Sequence, residues 1–110
     1  MNIFQVPILK AYTICRANNL PYKQLRNNRE LTEEEKIIIN KHIDKIRLLN
    51  RNLDPFALQR MIKLGINLAG LCAEAGLDYY LVTQRFHRKH DLDFGHIVKF
   101  KEIITKYFGE

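Results

Sequence analysis

The residues of this chain able to do chemistry are few, and most are spaced for structure. The four histidines are His42, His87, His90 and His96. His87 and His90 are three apart, a helical spacing that puts two imidazoles on one face, but two ligands do not close a metal site. The two cysteines, Cys15 and Cys72, have no partner at CxxC spacing and sit in apolar helical patterns, so they read as small buried hydrophobes. No phosphate-cradling glycine loop, dinucleotide fingerprint or nucleophile elbow occurs. The carboxylates fall mainly at helix starts, where the positive end of the helix dipole explains them. Neither a metal, a cofactor nor a catalytic constellation is expected, and so no enzyme. What remains is one dense stretch of hydrogen-bonding and cationic side chains: Tyr79, Tyr80, Thr83, Gln84, Arg85, His87, Arg88 and Lys89. Amide and hydroxyl side chains match the donors and acceptors on base edges, and cations match phosphates.

The elements that must position this set can be read from helix punctuation. Pro7 suits a first helical turn, and Ile8, Leu9, Ala11, Tyr12, Ile14 and Cys15 follow at helical spacing, predicting a helix from Pro7 to about Asn18-Asn19. A short segment follows from Tyr22 to about Asn28. Thr32 and Glu35 form a capping box. The helix it opens is expected to carry Ile37, Ile38, Ile43, Ile46 and Leu49 along one side and to stop around Asn50-Arg51-Asn52. Asp54-Pro55 predicts a helix to Leu64, ended by Gly65. Asn67 opens Leu68 to Ala75, ended by Gly76; Asp78 opens Tyr79 to about Lys89; Asp93 opens Phe94 to about Phe108. No stretch alternates with period two. The fold class is therefore all-α: a bundle of about six or seven short helices.

Two halves are expected, residues 1–53 and 54–110. Ile14-Cys15 through Leu20-Pro21-Tyr22 to Leu25 aligns with Leu71-Cys72 through Leu77-Asp78-Tyr79 to Val82 at an offset of 57, and Ile37, Ile43 and Ile46 fall on Val98, Ile104 and Tyr107 if the second copy holds four more residues. The first half reads as a packing or dimerisation unit, or as a degenerate copy presenting Tyr22, Lys23, Arg26 and Arg29.

Lys and Arg outnumber Asp and Glu by 18 to 12, for a net charge of +6. A basic surface favours polyanions. No secretory signal and no membrane-length apolar run is visible, which predicts a cytoplasmic protein without a membrane partner.

The stretch Asn67 to Phe86 has the pattern of a helix-turn-helix: small residues Cys72 and Ala75 at the close approach, Gly76 in the turn, and Leu77, Val82 and Phe86 as anchors. Here the chain resembles the lambda-repressor-like (XRE-type) helix-turn-helix family, over about residues 56–108. The resemblance implies a DNA-binding transcriptional regulator, a repressor or an activator, that binds double-stranded DNA as a dimer. The helix of residues 78–88 would lie in the major groove, with Tyr79, Tyr80, Thr83, Gln84, His87 and Arg88 outward, and with Arg85, Arg88 and Lys89 reaching phosphates or a guanine. The family's glutamine early in its second helix, which clamps a phosphate, is here Leu68. A different function on the same scaffold is a protein-interaction module of the kind small phage or mobile-element inhibitors use, centred on Tyr79 and Tyr80.

Overall fold

The computed structural model describes residues 2–89 and 92–109, the side chains of Arg88 and Lys89 excepted. Among the described residues the chain is all-helical. A 3₁₀ turn, Ile3–Gln5, precedes α1 (Ala11–Ala17), α2 (Tyr22–Arg26), α3 (Glu33–Arg51), α4 (Pro55–Leu64), α5 (Leu68–Ala75), α6 (Tyr79–Lys89) and α7 (Phe94–Phe108).

Local chemistry sets most of these boundaries. Thr32 Oγ1 accepts from the Glu35 amide at 3.2 Å, and Glu35 returns the bond to the Thr32 amide at 2.9 Å, closing the capping box at the head of α3. Asp54 caps α4 by accepting from the Ala57 amide at 2.7 Å. Gly65 ends α4 and Gly76 ends α5, both at positive φ.

The first helix begins later than its sequence suggests. Pro7 does not open α1, because residues 8–10 are committed elsewhere. The Lys10 amide donates to the Gly65 carbonyl and the Asn67 amide donates to the Ile8 carbonyl, each at 2.7 Å, making an antiparallel bridge between Leu9 and Ile66. Ile8 and Ile66 are completely buried. A helix from Pro7 would forfeit both of these bonds. The same contact explains Gly70: a Cβ there would lie 2.3 Å from the Pro7 carbonyl oxygen, a separation no side chain tolerates.

The buried side of α3 also differs from the expected one. Ile39, His42, Ile43, Ile46 and Asn50 face the core, while Ile37 and Ile38 are exposed at 55% and 36%. Three consecutive isoleucines fit more than one helical register, and the positions 39, 43 and 46 win because they meet α4 and α7.

One continuous core joins residues from both halves, including Ile8, Ile14, Ile43, Leu58, Leu71 and Phe100. Helix α3 crosses α7, and their contacts are polar as well as apolar. Arg47 Nε donates to the Phe108 carbonyl at 2.5 Å, the Asn50 amide to Thr105 Oγ1 at 3.0 Å, and Lys101 Nζ to the Arg51 carbonyl at 3.1 Å.

The expected repeat has a structural counterpart. Helices α1 and α2 start 57 residues before α5 and α6, and α3 starts 61 before α7. Asn19, at φ +54°, occupies the turn position of Gly76, at φ +69°. The bond that closes each turn is the same: Leu20 amide to Cys15 carbonyl at 2.8 Å, Leu77 amide to Cys72 carbonyl at 2.9 Å.

Candidate nucleic-acid interface

Helix α6 follows α5 after the three residues Gly76, Leu77 and Asp78. Asp78 Oδ1 accepts from the amides of Tyr80 at 2.9 Å and Leu81 at 3.2 Å, satisfying donors that the first helical turn leaves without partners. Val82 and Phe86, four apart, are 3% and 2% exposed and pin the inner side of α6 to the core. That anchoring fixes what points outward.

Tyr79, Tyr80, Gln84, Arg85 and His87 are exposed, as the sequence pattern suggests. Tyr80 is the most open of the tyrosines at 68%. Thr83 departs from expectation. It is half-buried, and its hydroxyl oxygen is enclosed with no hydrogen-bond partner. Position 83 is one residue after Val82 and three before Phe86, so the helix turns it toward its anchors. Thr83 therefore does not share the outward face. The side chains of Arg88 and Lys89, and His90 altogether, lie outside the described residues.

Leu81 joins the outward set at 58% exposure. It belongs to a shallow groove of about 350 Å³, walled by Leu77, Val82, Gln84, Arg85 and His96 as well. His96 has its Nδ1 enclosed and without a partner. The apolar periodicity of α6 assigned Leu81 no role, since a single leucine on a polar face carries no signal.

The first turn of α5 differs from the phosphate-clamping arrangement that the resemblance implies. Leu68 is 6% exposed and belongs to the core. Gly70, two residues on, rests against the Pro7 carbonyl. The chain's own N-terminal segment thus occupies the side of α5 on which it packs, and Asn67 makes no side-chain cap.

The remaining reactive groups are structural. Burial pushes the thiols of both Cys15 and Cys72 above their ordinary range, reinforced by Glu35 near the first and Asp78 near the second. A thiol held in its neutral form is a poor nucleophile and a poor metal ligand. His42 is buried with both ring nitrogens engaged. Tyr107 hydrogen-bonds Glu74 at 2.5 Å, tying α7 to α5, and that bond raises its phenol. Among the described residues no three His, Cys, Asp or Glu side chains gather as a metal site, and no helix is long and apolar enough to cross a membrane.

No family model, no curated protein and no solved structure matches this chain.

Proposed function

We propose that this chain is a sequence-specific double-stranded DNA-binding protein, a transcriptional regulator of the cytoplasm, with α6 as the helix that enters the major groove. One observation carries the reading. Helix α6 is 11 residues long, has no carboxylate within it, and turns Tyr79, Tyr80, Gln84, Arg85 and His87 outward while Val82 and Phe86 anchor it. A helix so held, cationic and rich in hydrogen-bonding groups, has the chemistry of a groove reader. The net charge of +6 supplies the long-range attraction to phosphates. Gln84 is the side chain suited to an adenine edge, and the cations of residues 85–89 suit phosphates. The reading has no catalytic step and needs no cofactor.

The test is a titration against random-sequence duplex at two salt concentrations, beside the Arg88→Ala/Lys89→Ala variant. Expected is salt-sensitive binding that the variant weakens. Selection of a preferred site then allows Gln84→Ala to be measured, with an expected loss of about 1–3 kcal/mol on that site and little on random duplex.

A second reading rests on a specific feature of the same surface. Tyr79, Tyr80 and Leu81 are consecutive and all about half exposed or more. Aromatic residues at that density suit a protein partner. Absence of duplex binding at low salt would transfer the proposal to this reading, with capture of the partner as the next step.

A further inference from the structure

The two halves of the chain are related by more than similar helix starts. At the offset of 57 between the starts of α1 and α5, Leu9 is the equivalent of Ile66, and these two residues face each other in the antiparallel bridge. Its hydrogen bonds are reciprocal. Lys10 donates to Gly65, and Asn67, the equivalent of Lys10, donates to Ile8, the equivalent of Gly65, with both bonds at 2.7 Å. Residue i contacting j while j contacts i is the signature of a two-fold axis.

A second region repeats the relation. At the offset of 61 for the long helices, Phe108 is the equivalent of Arg47, and these two are hydrogen-bonded. Along the α3–α7 crossing the partners run 47 with 108, 50 with 105 and 51 with 101, so the helices are antiparallel. A two-fold axis perpendicular to the helices makes equivalent helices cross antiparallel, and a simple translation would leave them parallel. The single chain is thus built like a dimer, with α4 as the added link.

Some equivalent positions differ in chemistry. The polar pair Asn18 and His42 in the first half has as its counterpart Ala75 and Ile103, both partly buried against the core. Conversely, the hydrogen-bonded pair Glu74 and Tyr107 has as its counterpart Ala17 and the buried Ile46.

From this relation we infer that the outward side of α2 is a second duplex-contacting surface, the partner of α6 across the internal two-fold. The inference rests on the reading of α6 as the groove helix. Helix α2 occupies the place of α6, and Lys23, Gln24 and Arg26 are exposed on it with no carboxylate in the helix. Two of the four acids at positions 30–35 are ion-paired: Glu35 with Arg29 at 2.7 Å and Glu33 with Lys36 at 3.2 Å. Duplex DNA carries local dyads of its own, and half-sites recur about 34 Å apart. The chain's longest dimension is 40 Å, so two surfaces that far apart fit within it. One chain would then cover two half-sites, the second with weaker base reading because α2 has only five residues.

The test uses the full chain and the Lys23→Gln/Arg26→Gln variant, with thermal melting as the fold control. Duplex binding is followed as a function of salt, together with footprint length. Expected is a fall of about 1.8 in the slope of log K against log salt, two cations at about 0.9 each, and loss of protection over one half-site. If the double variant melts early, Lys23→Gln alone carries the test, with a fall of about 0.9 expected. A parent chain that binds duplex, with slope and footprint unchanged by the substitutions, overturns the second surface and leaves the α6 reading standing. A parent chain that binds no duplex overturns both.

Discussion

The side-chain amide of Asn18 donates to Nδ1 of His42 at 3.1 Å, which leaves the imidazole proton on Nε2, 2.5 Å from the Leu64 carbonyl it must serve. Asn18 also donates to the Ile14 carbonyl at 2.8 Å. One buried ring therefore joins α1, α3 and the end of α4. His42→Ala would leave the Leu64 carbonyl without its donor and open a cavity, costing about 2–4 kcal/mol. The second half offers the repair. Asn18→Ala/His42→Ile copies its apolar pair, and is expected to lose less than the sum of the single substitutions. A double-mutant cycle by urea unfolding reads this as a coupling energy of about 0.5–2 kcal/mol; strict additivity would show that the two side chains do not act as a unit.

Two glycines inside helices should respond oppositely to alanine. At Gly70 a Cβ meets the Pro7 carbonyl oxygen at 2.3 Å, and the obstacle is backbone. Gly70→Ala is expected to destabilise by about 2 kcal/mol or more, because the overlap outweighs a helix-propensity gain of about 1 kcal/mol. Around Gly95 nothing lies within 4 Å, so Gly95→Ala should stabilise by up to about 1 kcal/mol. Thermal melts of the two variants check the sign of each.

Acid should loosen the head of α3 first. The Thr32 amide, then the Arg29 side chain, hold the Glu35 carboxyl below the usual range. A depressed folded-state value means stability that is present above the unfolded value, about 4.3, and is lost as pH falls through the folded one. Glu35→Gln should flatten this part of the pH dependence between about pH 5 and pH 3. Carboxyl titration by NMR alongside urea midpoints tests it; an unchanged pH profile in the variant would assign the acid response to other groups.

Cys15 and Cys72 are both completely buried, at equivalent places in the two halves. Alkylation of either should require opening of the chain, and should accelerate in step with denaturant. Mass spectrometry after a brief iodoacetamide pulse distinguishes the two thiols. Rapid labelling of one under native conditions would show that its half opens on its own.

Helix boundaries written in neighbouring residues were legible in the sequence. Thr32 with Glu35, Asp54 with Pro55, Gly65, Gly76 and Asp78 each act within one turn, and they set the starts of α3, α4 and α6 and the ends of α4 and α5. The start of α1 was not legible. Pro7 is a sound helix opener locally, and it is overruled by the pairing of residues 8–10 with residues 65–67, which only the folded chain brings together. The face of α3 failed for a related reason. Ile37, Ile38 and Ile39 have equal claims to burial, and α4 and α7 decide among them. On α6, alternation between anchors and polar residues gave Tyr79, Tyr80, Gln84, Arg85 and His87 their outward places, whereas Thr83 is drawn inward by packing. Its enclosed hydroxyl is a feature of three-dimensional surroundings, and no spacing announces it.

The reciprocal pairing of Leu9 with Ile66 has a consequence for dilution. Two separate chains meeting through such an interface would part at low concentration. Here the halves are tethered through α4, and a short tether acts as a local concentration of about millimolar or more. Assembly of the two-fold unit is thus a unimolecular event, and its melting midpoint should not change with protein concentration. A chain built in this way keeps α2 and α6 in register at dilutions at which a dissociable pair would already have come apart.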